Sequence, residues 1–163
     1  MKNFTIVIPD ELNFLVFINN VYNKKKFPKV PIPHEDFNEN FKQIMIDLWE
    51  EKIRGMYVNK NYVQREDFYK KNLLILFKEN ASKNIESLLQ YFDSWWFNQA
   101  PKGNKYLLEL LFHGTINYYE INNKMQTKEN SQILILFDYP PEECKTEILK
   151  QNIYVIPVET FLT

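Results

Sequence analysis

Residues 133–137 read Ile-Leu-Ile-Leu-Phe, five apolar side chains in a row. A strand with one wet face alternates apolar and polar residues, so an unbroken run suits a strand covered on both faces. Asp138 and Tyr139 close the run, and Pro140-Pro141 removes two backbone donors, so the ladder cannot continue. Pro141 fits a first helical turn. Glu142 and Glu143 would then stand near the positive end of that helix's dipole. Residues 153–158 return as a second apolar run, and so short a strand-helix-strand path implies a right-handed crossover between parallel strands.

Other runs fit the same architecture. Residues 4–8 predict a first strand, broken by Pro9 and Asp10, and a helix from there to about residue 23 with Asp10 near its N-cap. That helix is apolar around most of its circumference, as buried helices are. Residues 73–77 predict a further strand, feeding a helix capped by Asn80 or Ser82 and running to about residue 98. Its core stripe is Ile85, Leu88, Leu89, Phe92 and Trp96. Leu74-Ile75-Leu76-Phe77 repeats Leu134-Ile135-Leu136-Phe137, which aligns two strand-then-helix units by convergence on one physical solution. The expected fold is α/β, with mixed α+β as the alternative: a single-domain three-layer sandwich over residues 1–163, its central sheet mixed, partly parallel and flanked by helices.

The remaining segments are placed around that sheet. Residues 35–54 predict a helix with Phe37, Phe41, Ile44, Met45 and Leu48 on one stripe, closed by Gly55 as its C′ residue. Between these helices, residues 24–33 (KKKFPKVPIP) form a stiff connector, either a surface loop or a partner-docking arm. Tyr57, Val58, Tyr62 and Val63 suggest an edge strand or hairpin around residues 59–61. Residues 105–112 satisfy helix and strand templates alike, and His113-Gly114 stops either. Residues 116–121 favour a strand, pairing antiparallel with 133–137 across a polar turn.

Composition narrows the function classes. With 20 basic and 21 acidic residues the net charge is −1, which offers no footprint for nucleic acid or an anionic membrane. The lone Cys144 makes no internal disulfide, and no Cys/His set has zinc spacing, so a reducing, cytoplasmic setting is expected. No segment reaches the roughly 20 apolar residues of a membrane span, and residues 4–8 are too short for a signal peptide's apolar core. Heavy use of Asn, Lys and Ile suggests an AT-rich coding sequence, hence a bacterium or its phage.

Candidate sites each stand beside a plainer reading. His34, next to Glu35 and Asp36, has the chemistry of a general base or ligand, but a polar helix entry is the favoured account of it. His113 sits where histidines serve helix termini. Ligands of open α/β sheets lie beyond the carboxyl ends of strands, which here would carry Lys78 and Glu79 after one strand and Asp138 after another. Asp138 and Glu79 could then hold a hard cation such as Mg²⁺ in a hydrolase or nuclease. Cys144, in a first helical turn, would have a thiol pKa lowered by the dipole, but with no paired His nearby in sequence a buried or idle cysteine is the favoured reading. No Walker loop, Rossmann glycine set, HExxH or nucleophile elbow is present, and no cofactor is expected.

Residues 91–97 (YFDSWWF) bear most on partners. Phe92 and Trp96 continue the core stripe, while Tyr91 and Trp95 lie four apart on a neighbouring face. Tyr and Trp anchor protein contacts more than most residues do. The expectation is therefore a protein-binding module, such as a bacterial immunity protein or inhibitor that occludes a cognate toxin. Glu50, Glu51, Glu142 and Glu143 would be available to meet a basic cleft, and a second copy of the chain is another candidate partner. The alternative is a metal-dependent hydrolase at Asp138, Glu79 and Lys78.

Overall fold

The computed structural model describes residues 3–58, 65–98, 102–125, 130–148 and 152–162. Helices and strands are mixed. The described residues hold six α-helices and a sheet whose three full strands, β1 (Phe4–Val7), β2 (Ser131–Leu136) and β4 (Ile153–Pro157), all run parallel with β2 in the middle. Residues 133–136 are all buried, so β2 is covered on both faces as its composition demands.

Helix α1 (Asp10–Tyr22) fills the centre. Leu12, Phe14, Leu15, Val16, Phe17, Ile18 and Val21 are all buried, each contributing about 1.5–3 kcal/mol on removal from water. Asp10 does not cap it: Pro9 is the N-cap residue, and the Asp10 carboxylate instead accepts the indole N–H of buried Trp96 at 2.7 Å. Around α1 stand α2 (Phe41–Val58), α3 (Arg65–Leu76) and α4 (Ser82–Asp93), the last followed by one π-helical turn over Ser94–Asn98. Ile85, Leu88, Phe92 and Trp96 are buried as the stripe requires. The buried apolar residues form one cluster.

Several expected elements take another form. Residues 73–77 lie outside the sheet: residues 73–76 end α3, with Tyr69, Leu73 and Leu76 buried at helical spacing and Leu74 and Ile75 facing out, and Phe77 follows in an isolated bridge with Phe37. The repeat with 134–137 is thus one of sequence and not of structure. Helix α2 starts at Phe41, after a 3₁₀ turn over His34–Asp36, and passes through Gly55 to Val58, so Gly55 is no C-cap and Tyr57 and Val58 are helical. Residues 59–64, where the hairpin was expected, lie outside the described residues.

Residues 105–112 resolve as α5 (Asn104–Phe112), stopped by His113 and Gly114. The strand expected at 116–121 is a helix, α6 (Tyr118–Met125). Asn117 caps it, its side-chain oxygen accepting the Glu120 N–H at 2.9 Å. The antiparallel pairing of that segment with 133–137 therefore does not exist, and β2 pairs in parallel with β1 and β4 instead.

The described part of the connection from β2 to β4 is not helical either. A turn over 141–144 is closed by the Cys144 N–H on the Pro141 carbonyl, and β3 (Glu147–Ile148) then pairs antiparallel with β4 through two residues. The Thr146 carbonyl also accepts the Val155 N–H at 2.8 Å. A helix here would have left the outer edge of β4 without backbone partners, and folding back as a short strand satisfies them.

Candidate functional site

Two polar side chains on α1 set the geometry at the carboxyl end of the sheet. Asn13 and Asn20 are seven residues apart, hence on one helix face, and both are fully buried. The Asn13 amide donates to the carbonyls of Pro9 and Ile135 at 2.8 and 3.1 Å, and its oxygen accepts the Phe137 N–H at 2.8 Å. Asn20 donates to Asp138 Oδ2 at 2.8 Å and to the Phe27 carbonyl at 3.3 Å. Asp138 Oδ1 accepts the Tyr139 N–H, so both carboxylate oxygens are engaged.

Glu79 does not join Asp138 at a strand end. It stands exposed in a 3₁₀ turn between α3 and α4, and Lys78 is exposed beside it with its N–H on the Asp36 carbonyl. The expected pairing needed residues 73–77 in the sheet. Beyond β4 lies Glu159, which sequence reasoning missed although it directly follows the 153–158 run. The negative charge of Glu159 is the main cause that raises the pKa of the exposed Tyr139 phenol above the usual tyrosine value; Asp138 adds a smaller push in the same direction. Among the described residues no three or more His, Cys, Asp or Glu side chains converge as metal ligands would.

The aromatic segment forms a groove. Trp95 is half-buried, stacked on Phe17 at 5.8 Å, with Phe27 and Phe137 each 4.8 Å from it. Phe27 comes from the 24–33 connector, whose covering role no periodicity could reveal. Beside this stack an open groove of about 500 Å³ is lined by Phe27, Gln90, Tyr91, Trp95 and Lys102, with Ser87 and Ser94 at its edge. Phe27 and Tyr91 remain 36% and 38% exposed at its rim, although Phe17, Phe92 and Trp96 already close the core beneath. Gly103 holds the floor from behind: at φ +60° it lies so close to the Trp95 and Trp96 backbone that a Cβ would collide with it.

The acidic residues divide. Glu50 is tied to Arg54 at 3.2 Å and to Lys145 at 3.9 Å, and Trp49 donates its indole N–H to the Lys145 carbonyl, docking α2 on the 141–146 turn. Glu142 and Glu143 are exposed on that turn and Glu51 is exposed on α2. Cys144 lies buried among them. Burial, then the charges of Glu143 and Glu50, push its thiol up to about 12, the reverse of the expected lowering, because no helix N-terminus is present there.

His34 packs its ring against Tyr22 at 4.7 Å, while neighbouring Asp36 accepts from Asn84 at 2.6 Å. His113 is the exposed C-cap of α5. Among the described residues no helix is long and apolar enough to cross a membrane. No protein-family model, curated protein or solved structure matches the chain.

Proposed function

We propose that this chain is a protein-binding module that acts by occlusion, a bacterial inhibitor or immunity protein working in the cytoplasm against a cognate toxin. Its helices, on this reading, form outer layers over both faces of the sheet and present the binding surface. The observation that carries the proposal is the rim of Phe27 and Tyr91. Both rings stay more than a third exposed above a core that Phe17, Phe92 and Trp96 already fill. Aromatic surface beyond what the core requires, set on a rigid stack, is the usual anchor of a protein contact.

The acidic residues supply the steering part. Glu142, Glu143 and Glu51 are solvent-facing, and Glu50 stands beside them on α2, a surface that suits a basic cleft. The test is expression beside the products of neighbouring reading frames. One such product alone should halt growth, and co-expression of this chain should restore it with the two proteins purifying together. A chain that stays alone with every adjacent product would defeat the proposal.

One observation favours a second reading. Asp138 follows the end of β2 and Glu159 the end of β4, two neighbouring parallel strands, and α/β sheets bind ligands beyond such ends. A metal-dependent hydrolase would use Asp138 there, with Glu159 in the place first given to Glu79. Hydrolysis abolished in both Asp138→Asn and Glu159→Gln would support it, and activity kept in either variant would end it.

A further inference from the structure

We infer that the connector after α1 carries a second site, a groove that takes an acidic, partly apolar peptide segment. The groove is open and encloses about 490 Å³. Lys24, Lys25 and Lys29 stand along it, and Val21, Val30 and Ile32 line it between prolines. Its described lining contains no acidic residue. None of the three lysines has an ion-pair partner among the described residues.

The chemistry selects the occupant. Lys24 and Lys25 follow the C-terminus of α1, where the helix dipole already favours cations, but Lys29 lies beyond that turn and gains nothing from it. Three unpaired cations in a chain of net charge −1 make a local positive field, and its complement is a row of carboxylates. Phosphodiesters would meet the same charge, but they have no use for the apolar surface that half-buried Val30 and exposed Pro31 and Pro33 offer, Val21 and Ile32 being buried. Apolar side chains between carboxylates do. The prolines fix the loop before binding, so little ordering cost falls on this partner. The site is separate from the aromatic groove and does not depend on the inhibitor reading.

The test uses a fluorescent peptide alternating glutamate and leucine, read by anisotropy and by amide shifts of the isotope-labelled full chain. Saturable binding is expected, with shifts concentrated at residues 21–33 and marked weakening between about 50 and about 300 mM salt. The triple variant Lys24→Gln, Lys25→Gln, Lys29→Gln should bind about tenfold more weakly, at an unchanged unfolding midpoint, since exposed charge contacts are individually small and act together. Replacing the peptide's glutamates by glutamine, or its leucines by serine, should also weaken binding. The inference is overturned by no saturable binding, by equal binding of the glutamine peptide, by indifference to the triple variant, or by tighter binding of oligothymidylate.

Discussion

Asn13 does at the scale of one side chain what the sheet does for the whole fold. Two of its three hydrogen bonds join the start of α1 to the end of β2, and the Ile135 carbonyl and Phe137 N–H have it as their link to the helix. Asn13→Leu keeps the branched shape and leaves both groups short of that partner, so it should cost about 3 kcal/mol in urea unfolding. A loss below about 1 kcal/mol would mean that the amide is not holding the strand. The sequence makes a buried amide in an apolar helix visible, but not its partners, which lie 122 and 124 residues away. Cys144 makes a similar point about context. Its thiol, pushed up to about 12 mainly by burial, stays protonated in the native state while the unfolded chain begins to lose the proton near pH 9. The unfolded state then binds fewer protons, so this contribution is complete below pH 9 and is lost progressively between pH 9 and about 12. Cys144→Ala should flatten that part of the stability profile relative to wild type. Parallel profiles would show that the thiol does not titrate as its burial implies.

At the scale of elements, the same three residues, Leu-Ile-Leu, close a helix at 74–76 and a strand at 134–136, each followed directly by Phe. Neighbours decide which. The flank of residues 65–72 is polar and places Tyr69 and Leu73 one turn apart, so a helix can bury a stripe there, whereas Ser131 and Gln132 lead into a run with no polar side to turn outward. Leu74→Lys should therefore change stability by no more than about 0.5 kcal/mol, while Leu134→Lys should prevent folding. Comparable damage from both would put residues 73–77 back in the core as a strand. Gly55 gives a second check, since it lies inside α2 with open space where a Cβ would go. Gly55→Ala should raise stability by about 0.5–1 kcal/mol in denaturant titration, and a C-capping glycine would give a loss instead. The helix at 118–125 was signalled by Asn117 with Glu120 three residues later, a capping pattern that the β-branched and aromatic residues around it obscured. The turn at 141–144 carried no such signal. Its shape answers the open edge of β4, which only the assembled sheet presents.

At the scale of the whole molecule, the central strand and the buried first helix were legible because uninterrupted apolar sequence has few other places to go. Parallel pairing of β2 with β4 was expected from a strand-helix-strand path, and the pairing is present although the described part of that path is a turn and a short strand. The covering of Trp95 by Phe27 was not legible, because it depends on how a proline-rich connector folds back over α4. The aromatic pair Tyr91 and Trp95 divides accordingly: Trp95 serves the stack beneath the groove and Tyr91 remains at its rim. Occlusion of a partner through that rim can be measured directly by isothermal titration of this chain with the growth-arresting product of an adjacent reading frame, using wild type and the double variant Phe27→Ser, Tyr91→Ser. The expected result is a one-to-one complex that the double variant weakens at least about a hundredfold, as loss of two aromatic anchors should. No heat of binding with any such product, or equal affinity in the double variant, would contradict it.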